Sequence, residues 1–172
     1  VQDLRGGRGG SGGTVRFERD NTPPEGGRAI KVGVAGSDNG LESAAFADLK
    51  LGNDLAYGRL TGARTQATDY RDGAGRLVRS AFSQDSLHLV GGLSPKAATA
   101  LELGLEAKRG RDMHFAGAGM DAPKDDALIW RLRLTHSPAN GGIEWTGLAY
   151  HGEVQHRSEE RRVGKECPSP CR

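Results

Sequence analysis

Residues 101–108 read LELGLEAK, and residues 128–134 read LIWRLRL. In both stretches every second residue is apolar, and most of the residues between them are charged or glycine. This period of two places the apolar side chains on one face of an extended strand and the charged side chains on the other. A helix with the same sequence would scatter the charges around its circumference. The two stretches therefore predict β-strands that each have one apolar and one polar face.

The same alternation recurs from residue 28 onward, for example at Ile30, Val32 and Val34. Turn-forming residues interrupt it, and short turns alternate with longer polar loops. The short turns are predicted at 52–54, 93–96 and 137–142, and the longer loops at 37–41, 70–75 and 110–124. Seven strands are predicted, joined as an up-and-down meander, at residues 28–37, 42–52, 55–69, 76–92, 97–110, 125–137 and 142–155.

The predicted strands suit a transmembrane β-barrel. Several exceed the usual strand length of about 5 to 6 residues and reach the roughly 9 to 11 residues that a tilted strand needs to cross a membrane. A soluble antiparallel sheet shares the period of two. However, these Ala, Gly and Leu faces offer little bulk for a core, and a meander leaves two exposed edges. We therefore predict an all-β fold, an open antiparallel fragment of a transmembrane barrel, with a soluble all-β binding module as the alternative.

The C-terminal segment is expected to be non-native. Residues 157–167 read RSEERRVGKEC, which resembles the in-frame translation of a common sequencing adapter, so residues 157–172 are set apart. This tail holds both cysteines, and removing its five basic and three acidic residues from the totals of 24 and 22 leaves 19 of each. The remaining chain is neutral, so nothing in its charge favours a nucleic-acid partner, and it contains no cysteine for a disulfide.

The N-terminal residues carry a resemblance to a known family. Residues 4–19 read LRGGRGGSGGTVRFER, a glycine-rich stretch that runs directly into an alternating strand pattern. It resembles the end of the plug domain of TonB-dependent receptors. Within that family, DYRDG at 69–73, LSP at 93–95 and FAGAGMD at 115–121 resemble the copper receptor subfamily and occur in matching order. The resemblance implies that residues 1–20 end a plug domain and residues 21–156 form the first strands of the barrel.

The resemblance also implies a function. Such receptors lie in the bacterial outer membrane and carry out energy-coupled uptake of their cargo into the periplasm. The expected partners are TonB with its inner-membrane complex, the lipid of the outer membrane, and a copper ion or metal chelate as cargo. Siderophore receptors share the plug and barrel, so uptake of an iron chelate is the alternative within the class. No serine, histidine and carboxylate lie in a recognised catalytic context, so we predict neither an enzyme nor a resident cofactor.

Thioether and imidazole groups are the candidate metal ligands, because soft sulfur with imidazole suits copper, particularly Cu(I). The candidates are His156, Met120, Met113 and His114, with His151 as a further imidazole. The resemblance places His156 first. In the copper receptors a His-x-Met pair follows this strand, and here the adapter-like tail begins where the methionine would stand. His88, on the polar face of a strand, is instead expected to be a hydrogen-bonded wall residue.

Two predictions concern the orientation of side chains. Four aromatic residues, Trp130, Trp145, Tyr57 and Tyr150, are candidates for an interfacial girdle, although cross-strand packing would explain them equally well. One face of the predicted sheet is expected to contact lipid, and the other is expected to line the lumen of the barrel. The lipid-facing residues are Leu101, Leu103, Leu105, Trp130, Leu132 and Leu134, and the lumen-facing residues are Glu102, Glu106, Arg131 and Arg133.

Overall fold

The computed structural model describes residues 25–93 and 98–160. Its strands are β1 Arg28–Ala35, β2 Leu41–Gly52, β3 Ala56–Ala67, β4 Tyr70–Arg71, β5 Leu77–Val78, β6 Phe82–Leu93, β7 Thr99–His114, β8 Met120–His136 and β9 Trp145–Glu160, preceded by a 3-10 turn at Glu25–Gly27. Seven strands form one antiparallel sheet in the order β1-β2-β3-β6-β7-β8-β9, and β4 pairs with β5 in a separate hairpin. The sheet is open, so the prediction of an all-β, open up-and-down meander is confirmed.

The register of the central strands confirms the predicted faces. Leu103 lies opposite Leu132, and Leu105 lies opposite Trp130, while Glu102 lies opposite Arg133. Because paired residues in an antiparallel ladder share a face, the leucines and Trp130 form one continuous surface and the charges another. We call these the apolar face and the polar face.

Exposure along β6 shows which face is covered. Leu87 and Leu89 are 46% and 47% exposed on the apolar face, whereas His88 and Val90 are 8% and 0% exposed on the polar face. A soluble sheet would bury the leucines and leave the histidine in water. Along β6, the sheet therefore buries the residues of the polar face and exposes the leucines of the apolar face.

The last strand departs from this pattern. On β9, Leu148 and Tyr150 lie opposite Arg133 and Arg131, so both are on the polar face, where they are 55% and 74% exposed. Tyr57 is also on the polar face, because its ladder partner on β6 is Gly92, and the ladder partner of Gly92 on β7 is Glu102. Trp130 and Trp145 are on the apolar face. The girdle interpretation therefore fails for both tyrosines and remains a prediction for the two tryptophans alone.

Several predicted boundaries are wrong. The predicted strand 76–92 begins only at Phe82, since residues 68–81 form a loop that contains the β4–β5 hairpin. The predicted loop 110–124 shrinks to residues 115–119, because β7 and β8 continue through charged sequence. At these ends the apolar face itself becomes ionic, as in the salt bridge between Arg111 on β7 and Asp126 on β8. A prediction that follows apolar alternation cannot detect a strand beyond the apolar band.

The two ends of the sheet differ in their connections. We call the end with connections 36–40, 68–81 and 115–119 the loop end. The opposite end, with connections 53–55 and 137–144, where β6 also ends and β7 begins, is the turn end. The tight turn after β2 is set by Asn53, whose Oδ1 accepts hydrogen bonds from the backbone N–H groups of Leu55 and Ala56 at 2.9 and 3.0 Å. The predicted alternation of lengths holds only in part, because 137–144 is longer than 36–40 and 115–119.

Two predicted segments lie largely outside the described residues. The proposed plug segment 1–20 does so entirely, as do Val163 and both cysteines of the adapter-like tail. The described part of that tail continues β9 to Glu160, with a shift of register against β8 between Asp121 and Lys124. Within residues 25–93 and 98–160, no helix is long and apolar enough to cross a membrane.

Candidate metal site

The four predicted ligands all lie at the loop end. Met113 and His114 end β7, Met120 begins β8, and His156 lies near the end of β9. The sequence placed the first three in a long loop, but the structure places them on strands. Each of the four has a ladder partner on one neighbouring strand: Met113 and His114 on β8, Met120 on β9 and His156 on β8, so the register of the sheet sets their positions.

His156 is hydrogen-bonded to a carboxylate on the neighbouring strand. Its Nδ1 lies 3.1 Å from Oδ1 of Asp125, its register partner on β8. The other oxygen of Asp125, Oδ2, accepts a hydrogen bond of 2.7 Å from Nζ of Lys108. Both oxygens of Asp125 are thus engaged on the polar face, between a cation on β7 and the imidazole on β9.

Met113 reaches the same region through a gap that a glycine leaves. Gly110 is buried and pairs with Asp125, and a Cβ built on it would lie 2.9 Å from Sδ of Met113 and 3.3 Å from Cβ of Asp125. Asp112 lies between Gly110 and Met113 in the sequence and has φ 50°, a left-handed conformation that breaks the regular alternation of β7. The thioether of Met113 therefore lies over Gly110, beside the carboxylate that contacts His156.

His114 is held by the 68–81 loop rather than by the other candidates. Its Nδ1 lies 3.0 Å from Oδ1 of Asp69, and the same oxygen accepts hydrogen bonds of 2.9 Å from the backbone N–H groups of Ser80 and Ala81. These contacts, that with His114 above all, lower the pKa of the Asp69 carboxyl to about 2. Through its hydrogen bonds, Asp69 attaches the 68–81 loop to His114 at the end of β7.

Met120 is half-exposed at the start of β8, where it lies opposite Glu160 in the ladder. His151 is on the apolar face, with its ring 5.9 Å from that of Trp130, so it does not join the polar-face candidates. His88 lies deeper in the sheet, with Nε2 3.4 Å from Oε1 of Glu106. His88 is therefore a buried residue of the polar face that lies at ion-pair distance from Glu106, and its expected role as a hydrogen-bonded wall residue stays a prediction.

The described residues do not complete a metal site by themselves. Within 25–93 and 98–160, no group of three or more histidine, cysteine or carboxylate side chains is arranged to hold an ion. The sequence also missed Asp125, the residue that joins Lys108 to His156. Its position is visible only once the register places residues 110, 125 and 156 side by side, and no local motif marks it.

Comparison with solved structures gives a match to a protein described as copper transporter OprC, with a TM-score of 0.64 and 28% sequence identity. The alignment covers 75% of this chain and 19% of the transporter chain, so this chain spans about a fifth of that protein's length. No protein-family model matches the sequence. No match to a curated protein was found either.

Proposed function

We propose that the chain forms part of the barrel wall of an outer-membrane, TonB-dependent receptor that takes copper up into the periplasm. The observation that carries this proposal is the inverted sheet, in which leucines are exposed and a histidine is buried along β6. Exposed leucines suit lipid, and a polar face suits a lumen. The similarity to a copper transporter supports the same class of protein and the same metal.

The loop end is the side from which we expect copper to enter. Outer-membrane barrels carry their longer loops outside the cell, and the longest connection here, 68–81, is at this end. His156 and Met113 both lie there, on or beside the polar face. An imidazole with a neighbouring thioether is a suitable donor pair for Cu(I), and further ligands would come from the plug.

Transport, not catalysis, is the proposed activity. Motion of the plug would be driven by TonB and the inner-membrane proton gradient, and the copper ion is the cargo. The full-length gene should encode a signal peptide, an upstream plug and a barrel of roughly 22 strands. A gene that lacks these features would contradict the proposal.

Copper uptake by cells that express the full-length receptor tests the function. We expect accumulation of copper that depends on TonB and falls at least about tenfold in His156→Ala, since losing even the hydrogen-bond partner of a ligating histidine costs about 10- to 100-fold. His151→Ala is the matched control, because His151 is on the same strand but on the apolar face. Uptake of an iron chelate in place of copper, or repression of the gene by iron, would instead support the siderophore alternative.

A further inference from the structure

We infer that Asp125 is a positioning residue for the copper site: it fixes the orientation and tautomer of His156 so that Nε2 is presented to the ion. This inference rests on the proposed function and concerns a residue that no motif in the sequence marks. It follows from the contact between Nδ1 of His156 and Oδ1 of Asp125 at 3.1 Å.

The chemistry of the contact sets the tautomer. An ionised carboxylate only accepts hydrogen bonds, so the hydrogen between the two side chains belongs to Nδ1 of His156. In the neutral ring, Nε2 then carries the lone pair that a metal ion needs. Ligating histidines commonly donate their other ring N–H to a carboxylate in this way, which fixes the ring and raises its basicity.

Lys108 holds the carboxylate in place. Its Nζ donates to Oδ2 of Asp125 at 2.7 Å, leaving Oδ1 for His156. The three residues lie on adjacent strands, β7, β8 and β9, so the sheet itself sets their spacing. His156 needs such support, since its side chain is 49% exposed on the last strand of the described sheet.

Gly110 leaves space beside Asp125 for the sulfur of Met113. It is the register partner of Asp125 on β7, and the thioether of Met113 occupies the space where a Cβ would stand. A methyl group at this position would displace the sulfur or press on Asp125. The small residue thus allows a soft donor to lie beside the aspartate that orients the imidazole.

Cu(I) titration of the full-length receptor in detergent, in competition with the chromophoric chelator bicinchoninate, tests the inference. Asp125→Asn should weaken Cu(I) binding by about 10- to 100-fold, the usual effect of removing the partner of a ligating histidine. Asp125→Glu should recover part of the affinity. Asp126→Asn is the matched control, because Asp126 lies on the apolar face, opposite Arg109 in the ladder, and forms a salt bridge with Arg111.

The outcomes separate this inference from the proposed function. If the wild-type receptor binds no Cu(I), the proposed function fails. If it binds Cu(I) and Asp125→Asn binds equally tightly, the function stands and the positioning role is wrong. Nitrogen NMR of histidine-labelled, metal-free wild type needs no variant and should show Nδ1 of His156 protonated. A ring protonated at Nε2 alone would overturn the inference even if a variant failed to fold.

Discussion

Leu89 and His88 are neighbours on β6, yet the leucine is 47% exposed on the apolar face and the histidine 8% exposed on the polar face. The apolar face has no protein to cover it within the described sheet, whereas polar side chains cover one another on the opposite face. The difference shows that the alternation is the reverse of a soluble sheet: the leucines do not make the core. Burial on this sheet follows the face rather than polarity, since the polar face buries Val90 as well as Asp48 and His88.

The pair of Asp48 and Arg59 shows how the polar face is held together. Nε and Nη2 of Arg59 donate to the two oxygens of Asp48 at 2.7 and 3.1 Å, and Oγ1 of Thr61 donates to Oδ1 at 2.7 Å. Asp48 is 6% exposed. Two parallel hydrogen bonds between a guanidinium and a carboxylate are the strongest geometry for such a pair.

Of the changes considered, removing one member of this pair should reduce the stability of the folded protein most. Asp48→Ala removes the carboxylate that accepts two hydrogen bonds from the largely covered Arg59 side chain, and it should destabilise the folded protein by about 3 to 5 kcal/mol. Guanidinium unfolding in detergent micelles would measure the loss. The double variant Asp48→Ala with Arg59→Met should regain part of it, because the guanidinium that lost the Asp48 carboxylate is removed as well. Equal losses in the single and double variants would contradict this account of the polar face.

A charge placed on the apolar face should have the next largest effect. Leu89 lies between Leu60 and Leu105 in the ladder, so Leu89→Arg puts a guanidinium in the middle of the leucine surface. If lipid covers this face, the variant should lose roughly 2 to 4 kcal/mol of stability in vesicles. If the face is in water, the change should stay within about 0.5 kcal/mol, as for ordinary surface substitutions.

Ser86→Arg is the matched control for Leu89→Arg. Ser86 is on the same strand but on the polar face, where it lies opposite Ala63 and Lys108. A lumen-facing charge should cost little in a membrane barrel. A variant Leu89→Arg that is as stable as Ser86→Arg, or more soluble without detergent, would support the soluble binding module and contradict the membrane interpretation.

The sequence predicted the faces, the meander and several strand limits at the turn end, such as the end of β2 at Gly52, but neither the loop-end limits of β6, β7 and β8 nor the arrangement of the site. Alternation at 101–108 and 128–134 predicts orientation because each apolar residue repeats every second position. Beyond the apolar band both faces are polar, so β7 was predicted to end at residue 110 although it continues to His114. The contact of Asp125 with His156 depends on register across two strands, which no local pattern contains.

The smallest expected effect is a pH-dependent weakening of the attachment of the 68–81 loop at the loop end. Oδ1 of Asp69 accepts two backbone hydrogen bonds and faces His114, and the pKa of this carboxyl falls from 3.8 to about 2. A carboxyl with a lowered pKa stabilises the folded loop above its ordinary pKa and loses that contribution as the pH falls through the lowered value. The attachment of the 68–81 loop to β7 should therefore be complete at pH 7 and should weaken as the pH falls from 3.8 toward 2.

Hydrogen exchange at the backbone amides of Ser80 and Ala81 measures this attachment. At pH 7, Asp69→Asn should exchange faster than wild type at both amides, because an amide oxygen is a weaker acceptor than a carboxylate. Asp72→Asn is the matched control, since Asp72 accepts from the backbone of Ala74 and Arg76 within its own turn. Its loss should speed exchange at residues 74 and 76 and leave 80 and 81 unchanged. If both variants speed exchange along the whole loop, Asp69 is not a separate anchor, and the loop opens as one unit.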